Sequence, residues 1–209
     1  MDAVSAVAGK RQAACTALLR QVREIHQRDG INAASLARIK GLLLDLAGAG
    51  TALFPEADFA MPQAHGRNHL LDEARDDGYG LYLTVSLPGK EAAPHDHGIW
   101  CLAAGLSGIE EQRFYRRTDD GRKPGFATVE QIGDARLEAG TAIAMADHDI
   151  HSTLVVGDRP SRALALYGYA LTRFPAVVFY HPQFGTCRLL PSKRGPSAAA
   201  ASMAQGNRP

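Results

Sequence analysis

Apolar residues recur every three or four positions at the start of the chain and every second position further on. Cys15, Leu18, Leu19, Val22 and Ile25 fall on one face of a helix, and Arg20, Arg23, Glu24 and Gln27 lie largely on the other. Asp29-Gly30 reads as a stop. Leu36, Ile39, Leu43 and Leu46 repeat the helical period; Asn32 is placed to cap this second helix and Gly48 to Gly50 to end it. From about residue 66 the period shortens. Leu81, Leu83, Val85 and Leu87 alternate with Tyr82, Thr84 and Ser86, which predicts a strand with one buried face. Further strand-like runs occupy 99–104, 109–115, 126–132, 141–144, 151–156, 163–170 and 176–180. Pro88-Gly89, Ser107-Gly108, Asp120-Gly121 and Gly157-Asp158 separate them, so a β-sandwich or barrel is expected. The chain therefore divides into an α-helical N-terminal arm over 1–50, a β-barrel over 51–194 and a disordered tail over 195–209, rich in Ala, Ser and Gly.

Composition narrows the function. The net charge is +1 and the hydrophobic fraction 45%. A nucleic-acid partner would call for a basic surface, so none is expected. No apolar run approaches the roughly 20 residues that span a bilayer, so no membrane partner is expected either. Residues 1–10 lack a basic region ahead of an apolar stretch and do not read as a secretory signal. Cys15, Cys101 and Cys187 are too far apart for a CxxC zinc motif and form no disulfide framework. A cytoplasmic protein, monomer or homodimer, is the expectation.

Of the eight histidines, His26, His65, His69 and His181 suggest no shared chemistry. His95-Asp96-His97 is different. On a strand, residues i and i+2 point to one face, so two imidazoles can reach one metal. A third ligand must come from a neighbouring strand, and His151 opens a later one. The glycines support this grouping. Gly89, five residues, His95-x-His97, three residues, Cys101, six residues and Gly108 follow the spacing of the first cupin motif, with Cys101 where an acid usually stands. Gly140 to His151 follows the second motif in spacing and partly in identity, and His148 just before it reads as a loop residue. Three imidazoles suit iron(II), zinc, copper or nickel, so the histidines by themselves leave oxygen chemistry and hydrolysis both open.

The segment His95-Asp96-His97-Gly98-Ile99-Trp100 resembles the HDH-x-x-W stretch of bacterial cysteine dioxygenases and related thiol dioxygenases, members of the cupin superfamily. Asp149-Ile150-His151 resembles that family's third-ligand strand, and Leu166-Tyr167-Gly168 its tyrosine-bearing strand. The resemblance spans roughly residues 67–180. It implies a mainly β fold, a double-stranded β-helix (cupin, jelly-roll barrel). It implies Fe(2+) held by His95, His97 and His151, and oxidation of a small thiol such as cysteine or 3-mercaptopropionate by dioxygen to a sulfinic acid. Tyr167 would hydrogen-bond oxygen or substrate, and Cys101 would be placed for a thioether crosslink to Tyr167. Arg67, in Arg67-Asn68, resembles the family's carboxylate-binding arginine, with Arg162 and Arg173 as alternatives. The family's Ser-x-His-x-Tyr pattern is Ala163, Ala165 and Tyr167 here. That loss keeps two other functions in play: a cupin oxygenase acting on a non-thiol substrate, and a non-enzymatic zinc-binding sensor.

Overall fold

The computed structural model describes residues 3–74, 78–173 and 176–191; the tail expected over 195–209 lies outside them. Two helices come first, α1 (Ala3–Asp29) and α2 (Ala33–Gly48), where the apolar period puts them. Gly30 takes the left-handed conformation that ends α1. Asn32 caps α2: its side chain accepts from the Ala34 and Ser35 amides while Ser35 Oγ accepts from the Asn32 amide.

Eleven strands follow: β1 (Gly66–Glu73), β2 (Gly80–Ser86), β3 (Glu91–Asp96), β4 (Cys101–Ser107), β5 (Ile109–Arg117), β6 (Val129–Leu137), β7 (Ala142–Met145), β8 (Ile150–Val156), β9 (Ser161–Tyr167), β10 (Ala176–His181) and β11 (Thr186–Pro191). One sheet runs β1-β2-β9-β4-β7 and the other β11-β10-β3-β8-β5-β6. Neighbouring strands among the described residues pair antiparallel, and β2 pairs with β9, β3 with β8, β4 with β7 and β5 with β6. That nesting is one long hairpin ribbon wound between two facing sheets: a jelly roll, or double-stranded β-helix.

The alternation in β2 marks two buried faces rather than one. Leu81, Leu83 and Val85 pack with Leu102 and Leu166 against Leu18, Val22, Ile39 and Leu43 of the helices. The arm thus roofs the outer face of the first sheet and removes a broad apolar surface from water. Tyr82, Thr84 and Ser86 face the opposite way, into the space between the sheets. The polar side of this strand is the barrel lumen, not solvent, and the site lies there. Trp100 belongs to the outer cluster, beside Tyr79. Cys15 is fully buried in it, whereas Cys187 is half-buried against Phe126 on the second sheet.

Three strands carry weak sequence signals. β1 is an edge strand with little burial, β11 is another edge, and β3 reads Glu-Ala-Ala-Pro-His-Asp. Pro94 sits where the β3–β8 register slips, as a residue without an N–H must. β6 starts three residues later than the run at 126–132 because Phe126 makes only an isolated bridge to Thr186. Among the described residues no helix is long and apolar enough to cross a membrane.

Candidate metal centre

His95 and His151 are cross-strand partners on β3 and β8, so their side chains leave the second sheet on the same face. His97 lies one residue beyond β3, in a turn. The Asp96 carboxylate shapes that turn by accepting from the Gly98 amide at 2.9 Å and from the buried Tyr180 hydroxyl at 2.7 Å. Asp96 therefore points away from the histidines, although it sits between two of them. One ring nitrogen from each of His95, His97 and His151 lies within 4.8 Å of the others, and no Asp, Glu or Cys joins this group among the described residues. The Nε2 atoms of His97 and His151 are 3.2 Å apart. Two nitrogens each about 2.1 Å from one ion would be separated by about 3.0–3.4 Å.

The donor set also fits a metal in its protonation. His95 Nδ1 donates to the Ala93 carbonyl (2.8 Å) and His151 Nδ1 to Gln112 Oε1 (2.9 Å), which leaves Nε2 of both rings as a lone-pair donor. Burial holds all three imidazoles below their usual range, with His97 pushed down to about 3 by desolvation and then by its neighbour His95. Neutral imidazole is the ligand form.

This predicts a pH dependence of the metal-free fold. The unfolded histidine binds a proton near its ordinary 6.5, and His97 in the folded protein resists to about 3. Stability contributed this way is complete above pH 6.5 and is lost as pH falls from there toward 3, by about 1.4 kcal/mol per pH unit for each such histidine. Thermal unfolding of chelator-treated protein should show Tm dropping between pH 7.5 and 5, and dropping less in His97→Gln. A wild-type Tm that is flat over this range contradicts the geometry.

Cys101 and Tyr167 are cross-strand partners on β4 and β9 and face the lumen with Met145 and Ala163. The Tyr167 ring meets His97 edge-on at 5.6 Å between centroids and Tyr82 at 6.1 Å. Burial pushes the Cys101 thiol and the Tyr167 phenol up, so both keep their protons at neutral pH. Phe179 stacks on His95.

The arginine expected to bind a carboxylate is elsewhere. Arg67 pairs with Val85, whose side chain packs under the helices, so Arg67 occupies the outer face of the first sheet, opposite the histidines. Arg162 pairs with the same Val85 and lies over the Phe59 ring. Neither reaches the lumen. Arg173 lies 3.7 Å from Glu73. His148 is a loop residue in the left-handed conformation, 3.9 Å from Asp96. His26 has a partner that its sequence did not suggest, the Tyr79 hydroxyl.

The site opens into a groove of about 1160 Å³ that His97 lines together with Ile99, Tyr169, Val178, Leu189 and Arg188. Gln112 and Glu110, on the lumen side of β5, are the residues that sequence reading missed. The β5–β8 register, which sets Phe114 opposite His151 and Gln112 opposite Thr153, brings Gln112 within reach of His151 and leaves Glu110 one step further along the same face.

No family model and no curated protein matches this chain. Solved structures similar to it include a cupin superfamily protein from Desulfitobacterium hafniense (17% identity, 56% of this chain and 89% of that one, TM-score 0.39). Another is a conserved protein with a double-stranded β-helix domain from Klebsiella pneumoniae (14%, 65% and 88%, TM-score 0.40). A third is the DMSP lyase DddQ from Ruegeria pomeroyi (21%, 53% and 49%, TM-score 0.38).

Proposed function

We propose that this protein is a non-haem iron-dependent dioxygenase that converts a small thiol to its sulfinic acid, RSH + O₂ → RSO₂H. The observation that carries the reading is the donor set: three neutral imidazoles facing one point, with no carboxylate among them in the described residues and Cys101 on the lumen face opposite Tyr167. Fe(2+), once held by His95, His97 and His151, supplies the redox chemistry that passes both oxygen atoms to a thiolate sulfur. A three-ligand set leaves coordination positions open for small molecules. Tyr167, with its proton held by burial, offers a hydrogen-bond donor next to His97. Tyr82 meets that ring edge-on from the neighbouring strand. Phe179 stacks on His95 and covers that ring.

Supplied with ¹⁸O₂, iron-loaded protein should give a sulfinate carrying two labelled atoms. Label in one oxygen only, with the other from water, contradicts dioxygenation. The reading includes a thioether between Cys101 Sγ and the Tyr167 ring, formed by removing two hydrogens with dioxygen as the acceptor. Protein matured in air should then contain a population two hydrogens lighter, absent in Cys101→Ser. An intact mass equal to that of the unmodified chain excludes the crosslink.

A non-thiol oxygenase is the second reading. The size and apolar lining of the groove favour it, since a three-carbon thiol would leave most of 1160 Å³ unused. Under this reading, iron-loaded protein consumes oxygen with larger amphipathic substrates and not with thiols.

A further inference from the structure

Gln112 is 2% exposed, in the lumen opposite Ala135, and Glu110, opposite Leu137, lies two residues along the same strand face. A buried amide and a half-buried carboxylate in such surroundings are costly unless their polar atoms are paired. Both are used in a single chain of hydrogen bonds. Gln112 Nε2 donates to Glu110 Oε1 at 2.5 Å, and Gln112 Oε1 accepts from His151 Nδ1 at 2.9 Å.

The direction of each bond follows from the donor inventory. An ionised carboxylate can only accept. It therefore takes the NH₂ end of Gln112, which leaves the carbonyl end facing His151. A carbonyl can only accept in turn, so His151 must carry its proton on Nδ1. That leaves the Nε2 lone pair aimed at His95 and His97. Lys90 helps to hold Glu110 as a carboxylate, against the burial that pushes its pKa up. Lys90 itself is anchored by the Ser86 hydroxyl at 3.0 Å.

His95 differs, because its Nδ1 proton goes to a main-chain carbonyl that no side-chain change removes. His151 is thus the ligand whose ring state depends on two replaceable side chains.

We propose that Glu110 and Gln112 are positioning residues: a two-step relay that fixes His151 in its Nδ1–H tautomer and preorganises the metal centre before any ion arrives. This inference rests on the metal reading above, but the tautomer itself can be read without metal.

The test uses the full chain and two variants. Glu110→Gln keeps the volume and replaces a pure acceptor with a group that both donates and accepts, so Gln112 can face either way. Gln112→Leu removes the relay. Nitrogen-15 spectra of metal-free wild type should show His151 with its proton on Nδ1, and Glu110→Gln should show a mixture of tautomers. Chelator competition with zinc, and separately with iron(II), should give affinities about 10-fold weaker for Glu110→Gln and about 10–100-fold weaker for Gln112→Leu. Unfolding curves report whether each variant is folded, and the isosteric Glu110→Gln keeps the test valid if Gln112→Leu is not. A wild-type His151 protonated on Nε2, or variants that keep both the wild-type tautomer and the wild-type affinity, overturn the relay. A wild type with the Nδ1–H tautomer that binds no metal overturns the metal centre and leaves the relay standing as an orienting device for His151.

Discussion

His97→Ala purified from iron-supplemented cells should carry less than about a tenth of the wild-type metal, because affinity falls by more than the roughly 10–100-fold seen when only a supporting residue is lost. Among the described residues the site has no spare ligand. Cys101 stands where an acid could have served, and its buried thiol keeps its proton. The Asp96 carboxylate is committed to Tyr180 and Gly98 on the other side of the strand. His148 is on an exposed loop. With His97 gone, only His95 and His151 remain of the cluster. The loss should be local, since His97 lies past the end of β3 and makes no ladder pair. Elemental analysis together with a melting curve checks both parts. Full metal occupancy in a folded variant contradicts the ligand set.

Gly108→Ala should lower stability by about 3 kcal/mol or more, seen as a fall in Tm of about 6–12 °C. Gly108 has φ of +70°, which alone costs an L-residue about 1–2 kcal/mol. Its added Cβ would also sit 2.2 Å from the Pro160 carbonyl oxygen and 2.8 Å from the Ser161 Cα. All of these contacts are main chain, so no side chain can swing away. Gly140 is the control. It has φ of +83° but open space where its Cβ would go, so Gly140→Ala should pay the backbone term alone and lose about 2–8 °C, less than Gly108→Ala in the same experiment. Thermal unfolding of the two variants side by side separates strain from collision. Equal losses would mean that the contact with Pro160 has no weight.

These two glycines show how the site became legible. Both were marked in the sequence by their distance from the histidines, because a turn of the left-handed type is chemically restrictive and therefore leaves a residue behind. The helices were equally readable, since their buried faces are apolar at a regular period and Asn32 has the side chain that a cap needs. His95 and His97 could be paired from spacing, and His151 from the second motif. What escaped was everything that depends on register. Whether Arg67 faces the lumen or the arm is a matter of one residue along β1, and the sequence carries no apolar alternation there to decide it. Gln112 and Glu110 are polar positions on a strand with nothing in the sequence to single them out. Only the pairing of β5 with β8 brings Gln112 within reach of His151. The polar face of β2 was equally misleading, because the arm buries the other face and leaves the polar one lining the lumen.

The central claim is that these three histidines hold iron that oxidises a thiol, and oxygen uptake tests it most directly. Metal-free protein reconstituted anaerobically with iron(II) should consume one dioxygen per thiol lost with at least one of cysteine or 3-mercaptopropionate, and protein reconstituted with zinc should consume none. Iron-loaded protein that takes up no oxygen across such thiols would contradict the account.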